Sequence, residues 1–378
     1  MYEIKKLLSV CDIVKQRPNP FGGYRKYVAT GDIKKSEIIS FTEVTYGGRP
    51  SRADCTVYSG DVLFAKMAGT EKTLVAESIH EDMIFSTGFV VLKPKPETLD
   101  SKFLYHILRS NKFLSEKDRL STGATQKAIT NKSLGNIKIS LPPLDEQRKI
   151  SSILDKADEI KSLSERVLHL RQQLILSTFN EMFGDLRINS KSWPEKSISE
   201  LCSRVSVGYV GPLTILYVES GIRCLRGLNI KRGKISSDNI KQISQENHDN
   251  LLKKSRLNAG DVVSIRTGNA GVSAVISEEY DDVNCADLII MTPTSEIVPS
   301  YLCEFLNQKF GDSDSIQGAV GAIQKHFNIG SVKKVMVPLP PLELQNQYHQ
   351  ILDTILHLDN QIEFTEKISL SLTQEMLT

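Results

Sequence analysis

Two loops carry side chains suited to reading a polyanion. They are Ser121-Thr122-Gly123-Ala124-Thr125-Gln126-Lys127 and Gln317-Gly318-Ala319-Val320-Gly321-Ala322-Ile323-Gln324-Lys325-His326. A glutamine amide offers the paired donor and acceptor that match adenine, a lysine contacts phosphate or guanine, and glycine lets backbone approach a duplex closely. Upstream, Lys66 precedes Ala68-Gly69-Thr70, and Arg266 precedes Thr267-Gly268-Asn269. The segment Gly47-Gly48-Arg49-Pro50-Ser51-Arg52, with Arg223 and Arg226, adds cations suited to phosphate. The candidate DNA contacts are therefore Arg49, Arg52, Lys66, Thr125, Gln126 and Lys127 in the first half. Arg226, Arg266, Asn269, Gln324, Lys325 and His326 are their counterparts in the second. One such loop is usually only a loop. Recurrence at matched positions is what favours recognition.

Catalytic signatures are missing from the sequence. It has no G-x-x-x-x-G-K-[ST] phosphate loop, no H-E-x-x-H, no G-x-S-x-G and no G-x-G-x-x-G. Asn19-Pro20-Phe21 is similar to part of the Asn-Pro-Pro-aromatic signature of amino-methyltransferases. It lacks the second proline and a nearby glycine-rich cofactor loop, so it reads as a turn. His80, His106 and His326 have no carboxylate pattern nearby in sequence, and Glu278-Glu279 with Asp281-Asp282 reads as a solvated hairpin loop. The six cysteines, at 11, 55, 202, 224, 285 and 303, form no C-x-x-C pair and have no histidine at ligand spacing. A structural zinc site needs such clusters, so reduced core thiols are expected. No catalytic residue, metal or cofactor is expected in this chain.

What positions the loops is a duplication. Gly123-Ala124-Thr125-Gln126-Lys127 followed by Leu141-Pro142-Pro143-Leu144-Asp145-Glu146-Gln147 recurs as Gly321-Ala322-Ile323-Gln324-Lys325 followed by Leu339-Pro340-Pro341-Leu342-Glu343-Leu344-Gln345. Gly60-Asp61-Val62-Leu63 answers Gly260-Asp261-Val262-Val263 in the same way. A long repeat occurring twice is a duplicated domain rather than a solenoid. Each copy opens with short β-branched runs between turn residues, Val62–Phe64 and Phe89–Leu92 against Val262–Ile265 and Leu288–Met291. A short helix follows in each, over Ser101–Phe113 and Ser300–Phe310.

Beyond each Pro-Pro pair the apolar period changes. Ile160, Leu163, Val167, Leu170 and Leu174 follow the alternating three-four spacing of a coiled-coil seam. The second copy shows Ile351, Ile355, Leu358 and Ile362, and then the weaker Thr365, Ser369, Leu372 and Met376. Prolines suit the entry of a helix, Asp145, Glu146 and Glu343 then sit at its positive end, and Gly184 stands where a C′ glycine ends the first one. Helices of roughly 60 and 50 Å need a partner, and each copy's helix is the other's nearest candidate. The expected fold is α+β: two duplicated β-rich domains, 1–143 and 186–341, joined by two long helices, 144–185 and 342–378. These pair as an antiparallel coiled coil with pseudo-two-fold symmetry.

Composition agrees with a folded, multidomain chain: 378 residues, 40% hydrophobic and 24% charged. No stretch approaches 18 apolar residues, and Asp12 interrupts the N-terminus before a signal core can form, so no membrane span or secretory signal is expected and cytoplasm is the default. The net charge of +2 hides an alternation, with +7, −2, +2 and −5 on the four successive segments. A basic first block fits a polyanionic partner.

The repeated Leu-Pro-Pro-Leu-x-x-Gln opening a long helix after Gly-Ala-x-Gln-Lys resembles the specificity subunits of Type I restriction-modification systems, across essentially the whole chain. The resemblance implies two target recognition domains and two long antiparallel helices without catalytic activity. It also implies three kinds of partner: double-stranded DNA with a bipartite asymmetric target, modification (methyltransferase) subunits, and a restriction (translocase/endonuclease) subunit. The second copy differs, with Leu344 for Glu146 and Asn346-Gln347-Tyr348 for Arg148-Lys149-Ile150. The alternative reading is a protein–protein scaffold whose globular ends bind no DNA. A gel shift with and without the modification subunit separates the two.

Overall fold

The computed structural model describes residues 2–124, 126–186, 188–311 and 328–356. They fall into two compact units that divide within a long helix, after Arg166.

In the first unit a four-stranded sheet runs in the order Cys11–Val14, Phe89–Pro94, Val62–Ala65, Thr73–Val75. Val62–Ala65 is buried at every residue because both its faces are covered. Val62 and Phe64 pack with Phe103, Leu104 and Leu108 of the helix Ser101–Arg109. Leu63 and Ala65 face the other way, towards Val28 and Phe85 of a second sheet. That sheet pairs Arg25–Val28 with Ile84–Ser86 in parallel, flanked by Thr42–Val44 and Ala53–Cys55. A small antiparallel pair, Glu3–Lys6 with Lys138–Leu141, closes the unit beside the Pro-Pro corner.

The second unit repeats this plan strand for strand. Its first sheet is ordered Cys202–Val207, Leu288–Pro293, Val262–Ile265, Ser273–Val275. Its second pairs Ile222–Leu225 with Val283–Cys285 in parallel, flanked by Lys241–Ile243 and Arg256–Leu257, with Tyr217–Val218 added at the edge. Glu195–Ser197 pairs with Met336–Pro338 at the corner. The duplication is thus topological as well as sequential.

One helix boundary differs from expectation. The stretch 101–113 is two helices, Ser101–Arg109 and Asn111–Arg119, because Ser110 takes an extended backbone and its hydroxyl accepts the Phe113 N–H at 3.2 Å. Its counterpart, Pro299–Phe310, is unbroken and carries proline at the start, where the missing N–H costs nothing.

Leu144–Phe183 is one continuous helix of 40 residues. Its first turns are locked to the first unit by Gln147, fully buried, whose side-chain carbonyl accepts the Asp100 N–H at 3.0 Å. The Gln147 amide donates to the carbonyls of Thr98 and Pro142 at 2.9 and 2.8 Å. Gln345 repeats the arrangement, accepting from Val298 N–H and donating to Pro340. The repeated motif is therefore a buried polar clasp between a Pro-Pro corner and the turn before the short helix. At the far end the chain turns at Gly184, φ +77, a conformation open to glycine. Lys191 donates to the Glu181 and Met182 carbonyls and the Trp193 indole to that of Phe183, satisfying the last turn. Within the second unit Phe179, Phe183, Tyr301 and Tyr348 form one aromatic cluster.

Between these ends Ile160, Leu163, Val167, Leu170 and Leu174 are all exposed, from 38% to 53%. In the second copy residues 342–356 are helical and Ile355 is buried, whereas Leu358, Ile362 and Leu372 lie outside the described residues.

His106, placed in sequence without a partner, meets Asp155 at 2.8 Å across 49 residues, and Lys102 meets the same carboxylate at 2.7 Å. Arg109 pairs with Asp158 one turn on. Burial pushes the His106 pKa down, against the pull of Asp155. For Asp155 burial acts upwards, but the hydrogen bonds from Lys102 and His106 outweigh it and hold the carboxyl below its usual range. A histidine kept neutral by the fold contributes stability above its unfolded pKa of about 6.5 and loses it as pH falls through that value. The first unit is therefore expected to lose stability as pH drops below about 6.5, and His106→Gln to flatten that limb. Urea unfolding at a series of pH values checks this; an unchanged slope in the variant contradicts it.

All six cysteines are free thiols, five of them buried, and Cys55 is half-buried. Burial pushes Cys11 and Cys202 up to about 12, so they stay protonated and inert.

Candidate nucleic-acid interface

In the first unit the edge loops gather several of the predicted contacts. Lys66 leaves the strand Val62–Ala65 with its N–H bonded to Gly88 and its ammonium donating to the Thr87 carbonyl at 2.8 Å. Thr87 N–H in turn bonds the Arg52 carbonyl, and Ile129 N–H bonds that of Lys66. Ala68 N–H bonds the Lys127 carbonyl, and Met67 and Thr122 both bridge to Ala128. Arg52, Lys66, Gln126 and Lys127 thus stand on loops stitched to one another by backbone hydrogen bonds. Arg52, Gln126 and Lys127 are exposed and Lys66 half-buried. Gly123, φ +140, is required: a Cβ there would run into the Gln126 carbonyl oxygen. Thr125 lies outside the described residues.

Arg49 is placed differently. Its guanidinium donates to the Ala53 and Tyr46 carbonyls at 3.0 and 2.5 Å, lies 4.2 Å from the Tyr46 ring centroid and meets Asp54 at 3.6 Å. Those contacts hold the turn 46–53, and the side chain is largely covered.

In the second unit Arg266 and Thr267 leave the equivalent strand, but both donate to the Asp287 carboxylate, at 3.0 and 2.7 Å. Arg226 follows the strand Ile222–Leu225, and its guanidinium donates to the Asn239 carbonyl at 2.9 Å. Ala286 N–H bonds the Leu225 carbonyl, which sets the Arg226 and Asp287 segments side by side. Asn269 is exposed in the loop after Arg266. Gln324, Lys325 and His326 lie outside the described residues. The acidic run is not simply solvated: Glu279 pairs with Arg223, Asp282 with Arg256, and Asp281 accepts the Ala259 N–H.

The loops also rest on residues with no obvious sequence mark. Lys117 is 1% exposed, and its ammonium donates to the Met67 and Thr70 carbonyls at 2.7 and 3.0 Å. Asp118 beside it accepts the Gly69 N–H at 3.0 Å. In the second copy Asn307, fully buried, brackets the Ser273 N–H and carbonyl at 2.8 and 3.1 Å. The available signal was a lysine four residues after Phe113 on the buried face of a helix. Among the described residues no group of His, Cys, Asp and Glu could hold a metal, and no helix is long and apolar enough to cross a membrane.

Residues 1–170 and 188–374 match the family described as the Type I restriction modification DNA specificity domain. The chain belongs to that family. Each match covers one copy of the repeated plan, so the two units are two specificity domains. The chain is 21% identical over 361 residues to the specificity subunit of the Type I restriction enzyme MjaVIII of Methanocaldococcus jannaschii, covering 91% of this chain and 81% of the relative. It is 23% identical over 300 residues to the EcoBI specificity subunit of Escherichia coli, covering 72% and 62%. The crystal structure of the S subunit of a Type I system from M. genitalium shares the fold, with a TM-score of 0.60 at 15% identity over 100% of this chain and 96% of that one. As a specificity subunit the chain is a DNA-recognition component and not an enzyme.

Proposed function

We propose that the two units read two unlike half-sites of one asymmetric, bipartite double-stranded DNA target. The chain would do so in the cytoplasm, as part of an assembly with modification (methyltransferase) and restriction (translocase/endonuclease) subunits. The carrying observation is that one fold, repeated, presents equivalent loops with different side chains. Lys66 sits on a carbonyl in the first unit and Arg266 on a carboxylate in the second. Equivalent scaffolds with unlike readers suit an asymmetric target. The exposed seam Ile160, Leu163, Val167, Leu170, Leu174 supports antiparallel pairing with the helix of segment 342–378 and leaves helix surface for partner subunits.

Gel shift with and without the modification subunit tests the reading. Sequence-selective binding by the assembly supports it, and its absence favours the protein scaffold. Lys127→Ala is expected to weaken binding to all sequences alike and to flatten the salt slope by about one unit. Gln126→Ala is expected to change base preference in one half-site only, because an amide reads base edges while an ammonium serves phosphate. Equal loss on every sequence from both variants would count against this division of labour.

A further inference from the structure

The two units treat their leading cation in opposite ways. Lys66 donates to a backbone carbonyl, so its charge stays available to an anion. Arg266 instead faces the carboxylate of Asp287, which also accepts from Thr267. Strand pairing of Phe89 with Ala65 and of Leu288 with Ile265 puts Asp287 where the first unit has Gly88. There Asp287 adopts φ +52, in the left-handed region that favours glycine. Its backbone is held there by Tyr209, whose carbonyl accepts the Asp287 N–H at 3.1 Å and which bridges to Ala286. Aspartate is among the few non-glycine residues that tolerate this region, so the turn can carry a carboxylate at the position that faces Arg266.

We propose that Asp287 is a positioning residue that aims Arg266 at a guanine in the second half-site. This rests on the DNA-reading function proposed above and deepens it. A guanidinium reads guanine through two parallel N–H bonds to O6 and N7, a planar match that depends on the orientation of the fork. One carboxylate oxygen holds one Nη1 edge of Arg266, and the other oxygen is fixed by Thr267, so the fork cannot turn freely. The pair has no net charge, which makes it poorly suited to phosphate and well suited to an uncharged base edge. Arg266 and Asp287 are 29% and 42% exposed in their side chains, so the outer edge of the guanidinium can be reached. The second reader thus works by geometry where Lys66 in the first works by charge.

The test uses the full-length chain assembled with the modification subunit of its own system. The probe is a pool of duplexes randomised across the second half-site, with bound sequences and methylation both read. Asp287→Gly removes the carboxylate and suits the positive φ of that position. Arg266→Lys keeps the charge and loses the fork, and it leaves the backbone untouched should the glycine variant fold poorly. Wild type is expected to select guanine at one position. Both variants should lower that preference at the same position by about tenfold or more and leave the first half-site unchanged. Asp287→Gly should also steepen the salt slope by about one unit, since it uncovers a charge. The inference is overturned if Asp287→Gly leaves guanine preference intact, or if either variant only lowers affinity equally on all sequences. If the wild-type assembly selects no sequence, the two-reader function has failed and takes this inference with it. If it selects sequence and the variants do not alter it, only the role of Asp287 has failed.

Discussion

Phe183→Ala is expected to destabilise the second unit by about 3–5 kcal/mol, the range for removing a large aromatic side chain from a packed core. Phe183 is fully buried and lies 4.8 Å from Phe179, 4.8 Å from Tyr301 and 5.6 Å from Tyr348, centroid to centroid, with its ring steeply inclined to all three. Edge-to-face pairs add about 0.5–1.5 kcal/mol each beyond the area they bury, so the variant loses more than one ring's transfer energy. It cannot be repaired by local collapse, because the residue also ends the long helix and its carbonyl holds the Trp193 indole. Trp193 is the one tryptophan of the chain, so its fluorescence reports this junction. Urea unfolding followed at that signal checks the prediction. A loss under about 1 kcal/mol would show that the cluster is not a packed core.

Gln147→Leu is expected to cost the first unit about 2–4 kcal/mol. The side chain is of similar size, so the loss comes from polar groups and not from a cavity. The Asp100 N–H and the carbonyls of Thr98 and Pro142 each lose a partner. An unsatisfied buried group costs about 1–3 kcal/mol, and relaxation recovers part of the total. Gln147→Glu should be at least as damaging, since a carboxylate cannot donate to the two carbonyls. Hydrogen exchange at the Asp100 amide checks the clasp directly: protection should fall in Gln147→Leu, which removes its acceptor. Unchanged protection would mean that the corner is held by packing alone.

The duplication could be read from the sequence because its marks are local. Glycine, proline and β-branched runs declare turns and strands without regard to tertiary context, and the same marks in both copies produced the same strand order. The long helix was equally legible, since Pro143 and Gly184 bound it with chemistry that acts within a turn. The break at Ser110 was hidden because the apolar period runs on through it. Gln147 and Gln345 were visible as repeated letters, but their meaning depends on Asp100 and Val298, both 47 residues away. The same holds for His106 with Asp155, Lys117 with Met67 and Arg266 with Asp287. In each case the partner is set by strand pairing or helix packing, which spacing alone does not encode. The matched loops were visible in the sequence by recurrence, whereas the residues that brace them, Lys117 and Asp118 among them, required the fold.

In the proposed function each unit reads its own half of the target. The most direct measurement is methylation mapping of a chimera, assembled with its modification subunit, in which residues 1–143 are replaced by the corresponding domain of another family member. One half of the methylated sequence is expected to change to that of the donor while the other half stays as in the parent. Both halves changing together, or neither changing, would contradict the proposed function.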